Sequence, residues 1–209
     1  MGRGKKIGPI LGTNIKKYFD SDYSLLKNNS YIGISRYLSY DRELYTHVIN
    51  DRHDLEFSTV VRFAKRMDIS IPSLFSRECM SELVVYRTSP HMYSLTWDSD
   101  VFLENFRQNI RQHLQNRNMP VSTLYEKDVS TVWWEENGSI SKSSVHAFLS
   151  GSLKNPRISL LGWIALSLDY NWEDLGMMML NKKFLEFDIE THKFKISRKK
   201  DVHPFLQPS

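Results

Sequence analysis

The stretch from Ser141 to Leu175, SKSSVHAFLSGSLKNPRISLLGWIALSLDYNWEDL, constrains the fold of this chain more than any other segment. Its spacing predicts a short helix, a stop at Gly151, a polar turn and a longer amphipathic helix. Ser141 suits the N-cap position because its hydroxyl can accept from the first free backbone N–H groups. Val145 and Leu149 lie four positions apart, so we expect them to share one buried face.

The start of this predicted helix, from Ser141 to Ser150, is small and polar. Hydroxyl, amine and imidazole groups of this kind reach base edges and phosphates in the major groove. The candidates at the leading edge are Ser141, Lys142, Ser143, Ser144 and His146. Of these, Lys142, Ser143 and His146 are the candidates for base edges, and Lys142 suits guanine best. The candidates for phosphate are Ser150, Ser152, Lys154, Asn155 and Arg157.

These segments resemble a known family, the Cro/CI or XRE helix-turn-helix domains of phage repressors and their bacterial relatives. KSSVHAFLSGS is similar to the recognition helix, and NPRISLLGWIALSLDYNWEDL to the two helices that follow it. The family's hydrophobic slots hold Pro156, Leu160, Ile164, Ala165, Leu168 and Leu175. The resemblance implies a lambda-repressor-like five-helix domain, duplex DNA as partner and a role in transcription regulation. The alternative is a plain helical bundle with a Ser-rich turn.

A second copy of this pattern occurs nearer the N-terminus. Leu55 to Phe75 repeats the hydrophobic spacing, with Val60, Phe63, Ala64 and Met67 at the positions of Leu161, Ile164, Ala165 and Leu168. We expect helices at about 10–19, 30–38 and 41–49 before it. The DNA candidates of this unit are Arg42, Thr46, His47, Asn50 and Arg52. Asp41 and Glu43 would repel phosphate, so dimerisation or a protein partner is the alternative role.

The C-terminal unit should begin with a helix from Phe102 to Asn116, capped by one of the residues 98–100. Two segments compete for the family's second helix. VSTLYEK would bury Leu124 and leave residues 128–140 as an insertion, whereas STVWWEENGSIS would place Trp134 in the hydrophobic slot. Both alternatives stay open, and we expect Trp133 and Trp134 to be core residues.

The tail alternates between apolar and polar residues. Leu185, Phe187 and Ile189 share one face of the first run, and Phe194 and Ile196 share one face of the second. This pattern predicts a β-hairpin with a turn at residues 190–192. Because two strands are marginal alone, the hairpin must dock on its domain or pair with another chain as a dimerisation element.

Composition narrows the function classes. The chain has a net charge of +4, yet residues 90–180 hold 7 Lys/Arg against 10 Asp/Glu. The chain has a single cysteine, Cys79, and seven histidines that lack the paired spacing of metal ligands. We therefore expect no metal site and no cofactor, and we expect the protein to be cytoplasmic. We expect no signal peptide and no membrane span, and no catalytic motif points to an enzyme.

The sequence thus predicts a mainly α protein of two tandem lambda-repressor-like five-helix domains with a C-terminal β-hairpin. The predicted divisions are 1–76, a degenerate helix-turn-helix domain, 77–98, a linker, 99–180, the better-preserved domain, and 181–209, the hairpin tail. The expected protein is a DNA-binding regulator that forms homodimers. Its rival is an adaptor or antirepressor that binds another regulator, which the acidic balance of 90–180 favours.

Overall fold

A computed structural model gives the fold, which is mainly helical with one two-stranded antiparallel hairpin. The structure describes residues 9–21, 46, 48, 54–67, 69, 71–75, 98–126, 140–180 and 185–196. Across those ranges, no helix combines the length and the apolar character needed to cross a membrane. No group of three or more potential metal ligands occurs there either.

The N-terminal unit contains three described helices: α1 (Pro9–Ser21), α2 (Phe57–Met67) and α3 (Ile71–Leu74). The four core positions predicted by the repeat, Val60, Phe63, Ala64 and Met67, are all fully buried. Thr46 and Val48 are also helical, as the predicted helix 41–49 requires, and Val48 is buried. The predicted helix at 30–38 lies outside the described residues.

The C-terminal unit has more of its predicted elements in place. Its helices are α4 (Ser99–Asn116), α5 (Thr123–Glu126), α6 (Lys142–Leu149), α7 (Ile158–Ser167), a 3-10 turn (Trp172–Asp174) and α8 (Leu175–Met178). Asp98 caps α4 by accepting from the Asp100 backbone N–H at 2.9 Å. Within VSTLYEK, α5 covers only the four residues Thr123–Glu126, and Leu124 is buried as expected. Most of STVWWEENGSIS, including Trp133 and Trp134, lies outside the described residues.

A buried asparagine in each unit connects that unit's first described helix to its C-terminal end. Asn14 on α1 donates from its amide to the Leu74 carbonyl at 2.9 Å. Asn109 on α4 donates to the Met178 and Leu180 carbonyls, both at 2.8 Å. Both side chains are 1% exposed, so each satisfies backbone acceptors at the end of its unit that would otherwise be buried without partners.

The two units share one core rather than keeping separate ones. The buried apolar side chains of both belong to a single hydrophobic cluster. α3 packs on α8, and α2 packs on α4. Glu56 and Arg157 also form an isolated antiparallel β-bridge between the units. The predicted linker 77–98, apart from Asp98, lies outside the described residues.

The tail forms the predicted hairpin, with β1 (Leu185–Asp188) paired antiparallel to β2 (Lys193–Ile196). Leu185 faces Ile196 and Phe187 faces Phe194, as the alternation requires. Ile189 departs from the prediction, because β1 ends at Asp188 and Ile189 is 79% exposed. The Asp188 carboxylate ends the strand by accepting from the Glu190 and Thr191 backbone N–H groups at 3.0 and 3.2 Å.

The hairpin docks on its own C-terminal unit. Phe194 is 5% exposed, and its backbone N–H donates to the Tyr170 hydroxyl at 2.7 Å. That hydroxyl lies 3.1 Å from His113 Nδ1. Since Tyr170 accepts from Phe194, its own proton is available for His113. The Phe187 ring completes this cluster at 5.5 Å from the His113 ring.

Candidate nucleic-acid interface

Helix α6 begins and ends where the sequence predicts. Ser141 Oγ accepts from the Ser144 backbone N–H at 3.1 Å, which makes Ser141 the N-cap. Gly151 has a φ of 79°, a left-handed conformation that glycine adopts at low cost. The chain then turns back, and the Leu153 N–H donates to the Ala147 carbonyl at 2.9 Å. The capped helix is therefore held at both ends by local contacts.

The buried side of α6 differs from the predicted pair in one residue. Val145 and Phe148 are fully buried, whereas Leu149 is half-buried. Phe148 packs 5.9 Å from the Phe106 ring, and the Arg107 guanidinium lies 5.5 Å from its ring centroid. Phe148, three positions after Val145, therefore occupies the core position predicted for Leu149. Its contacts with Phe106 and Arg107 anchor α6 on α4.

The opposite side of α6 is exposed and polar. Lys142, Ser143 and His146, the three candidates for base edges, are all exposed, and Ser144 is half-buried. Lys142 and His146 lie one turn apart on the same face of the helix. The structure thus brings these three side chains together on one outward surface, which we call the reading face: Lys142, Ser143 and His146.

An aromatic side chain that the sequence did not single out supports the reading face. Tyr125 on α5 lies with its ring centroid 5.7 Å from Lys142 Nζ and 5.8 Å from the His146 ring. An ammonium near an aromatic face is attracted to it electrostatically. The contacts of Tyr125 depend on how α5 lies against α6, which the spacing of residues in the sequence does not reveal.

Three serines near the ends of α6 mainly shape the backbone. Ser150 Oγ and Ser152 Oγ donate to the Ala147 carbonyl at 3.1 and 3.0 Å. A hydroxyl has one proton, so either serine would have to leave Ala147 before donating to a phosphate. Ser141 Oγ likewise lies 2.7 Å from Ser144 Oγ while capping the helix. These side chains position the reading face and its turn.

Asn155 has a role that the sequence did not predict. Its amide oxygen accepts from the Ser58 backbone N–H at 3.0 Å, and its amide nitrogen donates to the Glu56 carboxylate at 2.6 Å. Both ends of the amide are therefore used between the two units. A phosphate contact by Asn155 could use only the second N–H of its amide, because the oxygen is engaged in capping α2.

The remaining phosphate candidates, Lys154 and Arg157, both keep exposed side chains. Arg157 is 63% exposed at its side chain, and its guanidinium lies 4.0 Å from the buried Asp54 carboxylate. Lys154 is exposed in the turn after α6. Either cation can meet a phosphate, although the Asp54 charge partly compensates that of Arg157.

Arg107 and Arg111 on α4 both make contacts within the fold. Arg107 is 7% exposed and donates to Glu104 at 2.9 Å. Arg111 donates to the Leu149 carbonyl at the end of α6 at 2.6 Å. Burial alone would raise the pKa of Glu104, but the hydrogen bonds from Arg107 and Gln108 outweigh it and lower that pKa. Arg107 therefore does not join Lys142 and Lys154 at the surface.

Of the N-terminal candidates, only Thr46 falls in the described part of the chain. It is helical and half-buried. Arg42, His47, Asn50 and Arg52 lie outside the described residues, so their role in binding stays a prediction.

Comparison with known proteins adds no relative. Protein-family models, curated proteins and solved structures give no match to this chain.

Proposed function

We propose that this protein is a sequence-specific DNA-binding regulator of transcription that inserts α6 into the major groove. The observation that carries the proposal is the two-sided character of α6. Val145 and Phe148 anchor one side in the core, while Lys142, Ser143 and His146 leave the other side polar and exposed. A major groove of B-DNA admits one α-helix of this size, and its floor offers donors and acceptors to such side chains.

Lys142 is the residue we expect to contribute most to sequence recognition. It is the first residue of α6, and its ammonium can donate to the O6 and N7 acceptors of guanine. His146 lies one turn further and can donate or accept according to its tautomer. Tyr125 lies beside both side chains, which restricts their freedom before DNA arrives and lowers the entropy cost of binding.

Phosphate contacts would set the register of α6 in the groove. The first backbone N–H groups of a helix carry partial positive charge and favour a phosphate. Lys154 and Arg157 follow in the turn after α6 and can reach the flanking backbone. Such contacts add affinity for any sequence but carry no sequence information.

Selection of bound sequences from a random duplex pool tests this function. We expect the full chain to enrich a defined motif, and its affinity to fall steeply as salt rises because phosphate contacts release counterions. Lys65→Ala is a suitable control, since Lys65 is an exposed lysine on α2 that is not a candidate for DNA contact. A pool that stays random after selection would refute the proposal.

The second candidate function is an adaptor or antirepressor that binds another regulator through the same helix-turn-helix surface. It is favoured by the acidic balance of residues 90–180, with 7 basic against 10 acidic residues. The pairing of Arg107 and Arg111 with Glu104 reduces the free positive charge further. A partner that is captured by the wild type and lost with Lys142→Ala, together with no DNA enrichment, would favour this function.

A further inference from the structure

The two units meet through backbone hydrogen bonds that mirror each other. The Phe57 N–H donates to the Pro156 carbonyl, and the Ile158 N–H donates to the Leu55 carbonyl, both at 2.8 Å. Phe57 and Ile158 are equivalent positions of the repeat, 101 residues apart, and so are Leu55 and Pro156. Exchanging the two units therefore turns each bond into the other. That reciprocity is the signature of a twofold axis, whereas a translation between units would not produce it.

Side chains repeat the same reciprocity. Asn155 caps α2 by accepting from the Ser58 N–H at 3.0 Å, and Asp54 caps α7 by accepting from the Ser159 N–H at 3.0 Å. Asp54 and Asn155 are again 101 residues apart, as are Ser58 and Ser159. Arg157, at the N-cap of α7, makes no side-chain cap of its own. Each unit thus satisfies the free N–H groups that begin a helix of the other. We call the segments 54–58 and 155–159 the joint.

The similarity between the units extends beyond the joint. An Asn-Ile pair lies on the first described helix of each unit, Asn14-Ile15 on α1 and Asn109-Ile110 on α4, but the two pairs are 95 rather than 101 residues apart. Both asparagines donate to backbone carbonyls. In the sequence, Val84, Tyr86, Tyr93 and Leu95 stand 101 residues before the hairpin residues Leu185, Phe187, Phe194 and Ile196. These earlier positions lie outside the described residues, so the second correspondence concerns sequence alone. The chain has the pattern of a duplicated unit folded back on itself.

A twofold joint determines how the two helix-turn-helix units present themselves. Leu149 lies at the end of α6, before Arg157 of the bridge, and helical Val48 lies before Glu56. The number of residues between the two members is the same in both pairs. A twofold axis through the Glu56–Arg157 bridge therefore places helical Val48 and Leu149 at the same height and on opposite sides of the axis. A DNA duplex has a matching twofold axis between two half-sites of inverted orientation.

We infer that one chain binds one DNA site composed of two inverted half-sites, doing alone what a symmetric dimer does with two copies. The inference rests on the proposed function. Asp41 stands at the position of Lys142 in the repeat, so the two half-sites differ in sequence. The joint fixes the distance between the half-sites, because backbone and side-chain bonds connect the units directly. Two domains on a free linker would instead accept direct repeats and variable spacing.

Synthetic duplexes test the inference with the full chain. Selection from a randomised duplex pool first gives the half-site sequences, and duplexes then carry them inverted or direct, over a series of spacings. We expect one inverted spacing to bind about tenfold or more tighter than every direct arrangement, since a misplaced half-site loses its base contacts. Native mass spectrometry should give one 24.6 kDa chain per duplex. Equal binding of direct repeats, or two chains on one inverted site, would overturn the inference while leaving DNA binding intact. No enrichment from the pool would overturn both.

A variant of the joint gives an independent check. Asp54→Ala combined with Asn155→Ala removes both reciprocal caps but leaves the reading face untouched. We expect the spacing preference to collapse while binding to a single half-site persists. Asp188→Ala is the matched control, because it removes comparable backbone caps in the hairpin turn, away from the joint. A spacing preference that survives in a folded double variant would contradict the joint's role. If the double variant unfolds, the wild-type duplex series decides the matter by itself.

Discussion

Tyr125 contacts two side chains of the reading face at once. Its ring lies beside the ammonium of Lys142 and the imidazole of His146, at 5.7 and 5.8 Å between the respective centres. Neither contact is strong, because a cation on an aromatic ring at an exposed site contributes about 0.5–1 kcal/mol. Their effect on recognition would come from restricting two flexible side chains before they meet DNA.

We predict that Tyr125→Leu weakens specific DNA binding by about 1 kcal/mol through loss of this contact, while Tyr125→Phe retains the affinity because it keeps the ring. Fluorescence anisotropy on the selected duplex would measure both. Equal losses in the two variants would point to the hydroxyl and contradict the proposed role of the ring.

Lys154 tests the phosphate role at the same scale. It is exposed in the turn after α6, and a phosphate contact there is independent of base sequence. Lys154→Ala should weaken binding to selected and unselected duplexes alike and reduce the slope of log affinity against log salt by about 0.9. A loss confined to the selected sequence would assign Lys154 to base recognition instead.

The sequence predicted the candidates on α6 better than their individual roles. Lys142, Ser143 and His146 followed from helical spacing, and all three are exposed on one side. Asn155 and Arg107 could not be assigned in this way. Their roles depend on partners far along the chain, Ser58 for Asn155 and Phe148 for Arg107. Local spacing carries no information about such contacts.

Among the elements, the hairpin depends most on tertiary packing. Two strands of four residues are marginal alone. Burial of Phe194 and its hydrogen bond to Tyr170 supply the additional stability that two isolated strands do not have. The alternating pattern therefore predicted the strands. It did not predict their docking surface, which is formed by His113 on α4 and by Tyr170 in the segment after α7.

We predict that Phe194→Ala lowers the free energy of unfolding by about 3 kcal/mol, because it empties a buried aromatic site. Ile189→Ala is the matched control, since Ile189 is 79% exposed at the turn and should change stability by less than about 0.5 kcal/mol. Urea denaturation followed by circular dichroism measures both. Similar small effects would show that the hairpin does not depend on its docking site.

At the scale of the whole molecule, the joint determines how the two units are arranged relative to each other. The sequence revealed the repeat, since Ala64 and Ala165 stand in the same hydrophobic frame. It did not reveal how the copies face each other. Residues 54–58 pair with residues 155–159 through contacts across about half the chain, which local spacing does not predict. The structure turns two expected tandem domains into one body with a shared core.

The joint also makes a prediction for stability. Asp54→Ala and Asn155→Ala each remove a helix cap supplied by the other unit, so each should cost about 1–2 kcal/mol of unfolding free energy. The unfolding transition of each variant should stay single, because both units unfold together through their common core. Two separate transitions in a calorimetric scan would show that the units are independent domains.

Recognition by α6 is tested most directly by selecting from one random duplex pool in parallel with wild type, Lys142→Ala and Lys65→Ala. The wild type and Lys65→Ala should enrich the same motif. Lys142→Ala should relax one base pair of it and weaken specific binding by about 1–3 kcal/mol. An identical motif and affinity for Lys142→Ala, or no motif with the wild type, would contradict the assignment of α6 as the helix that reads DNA.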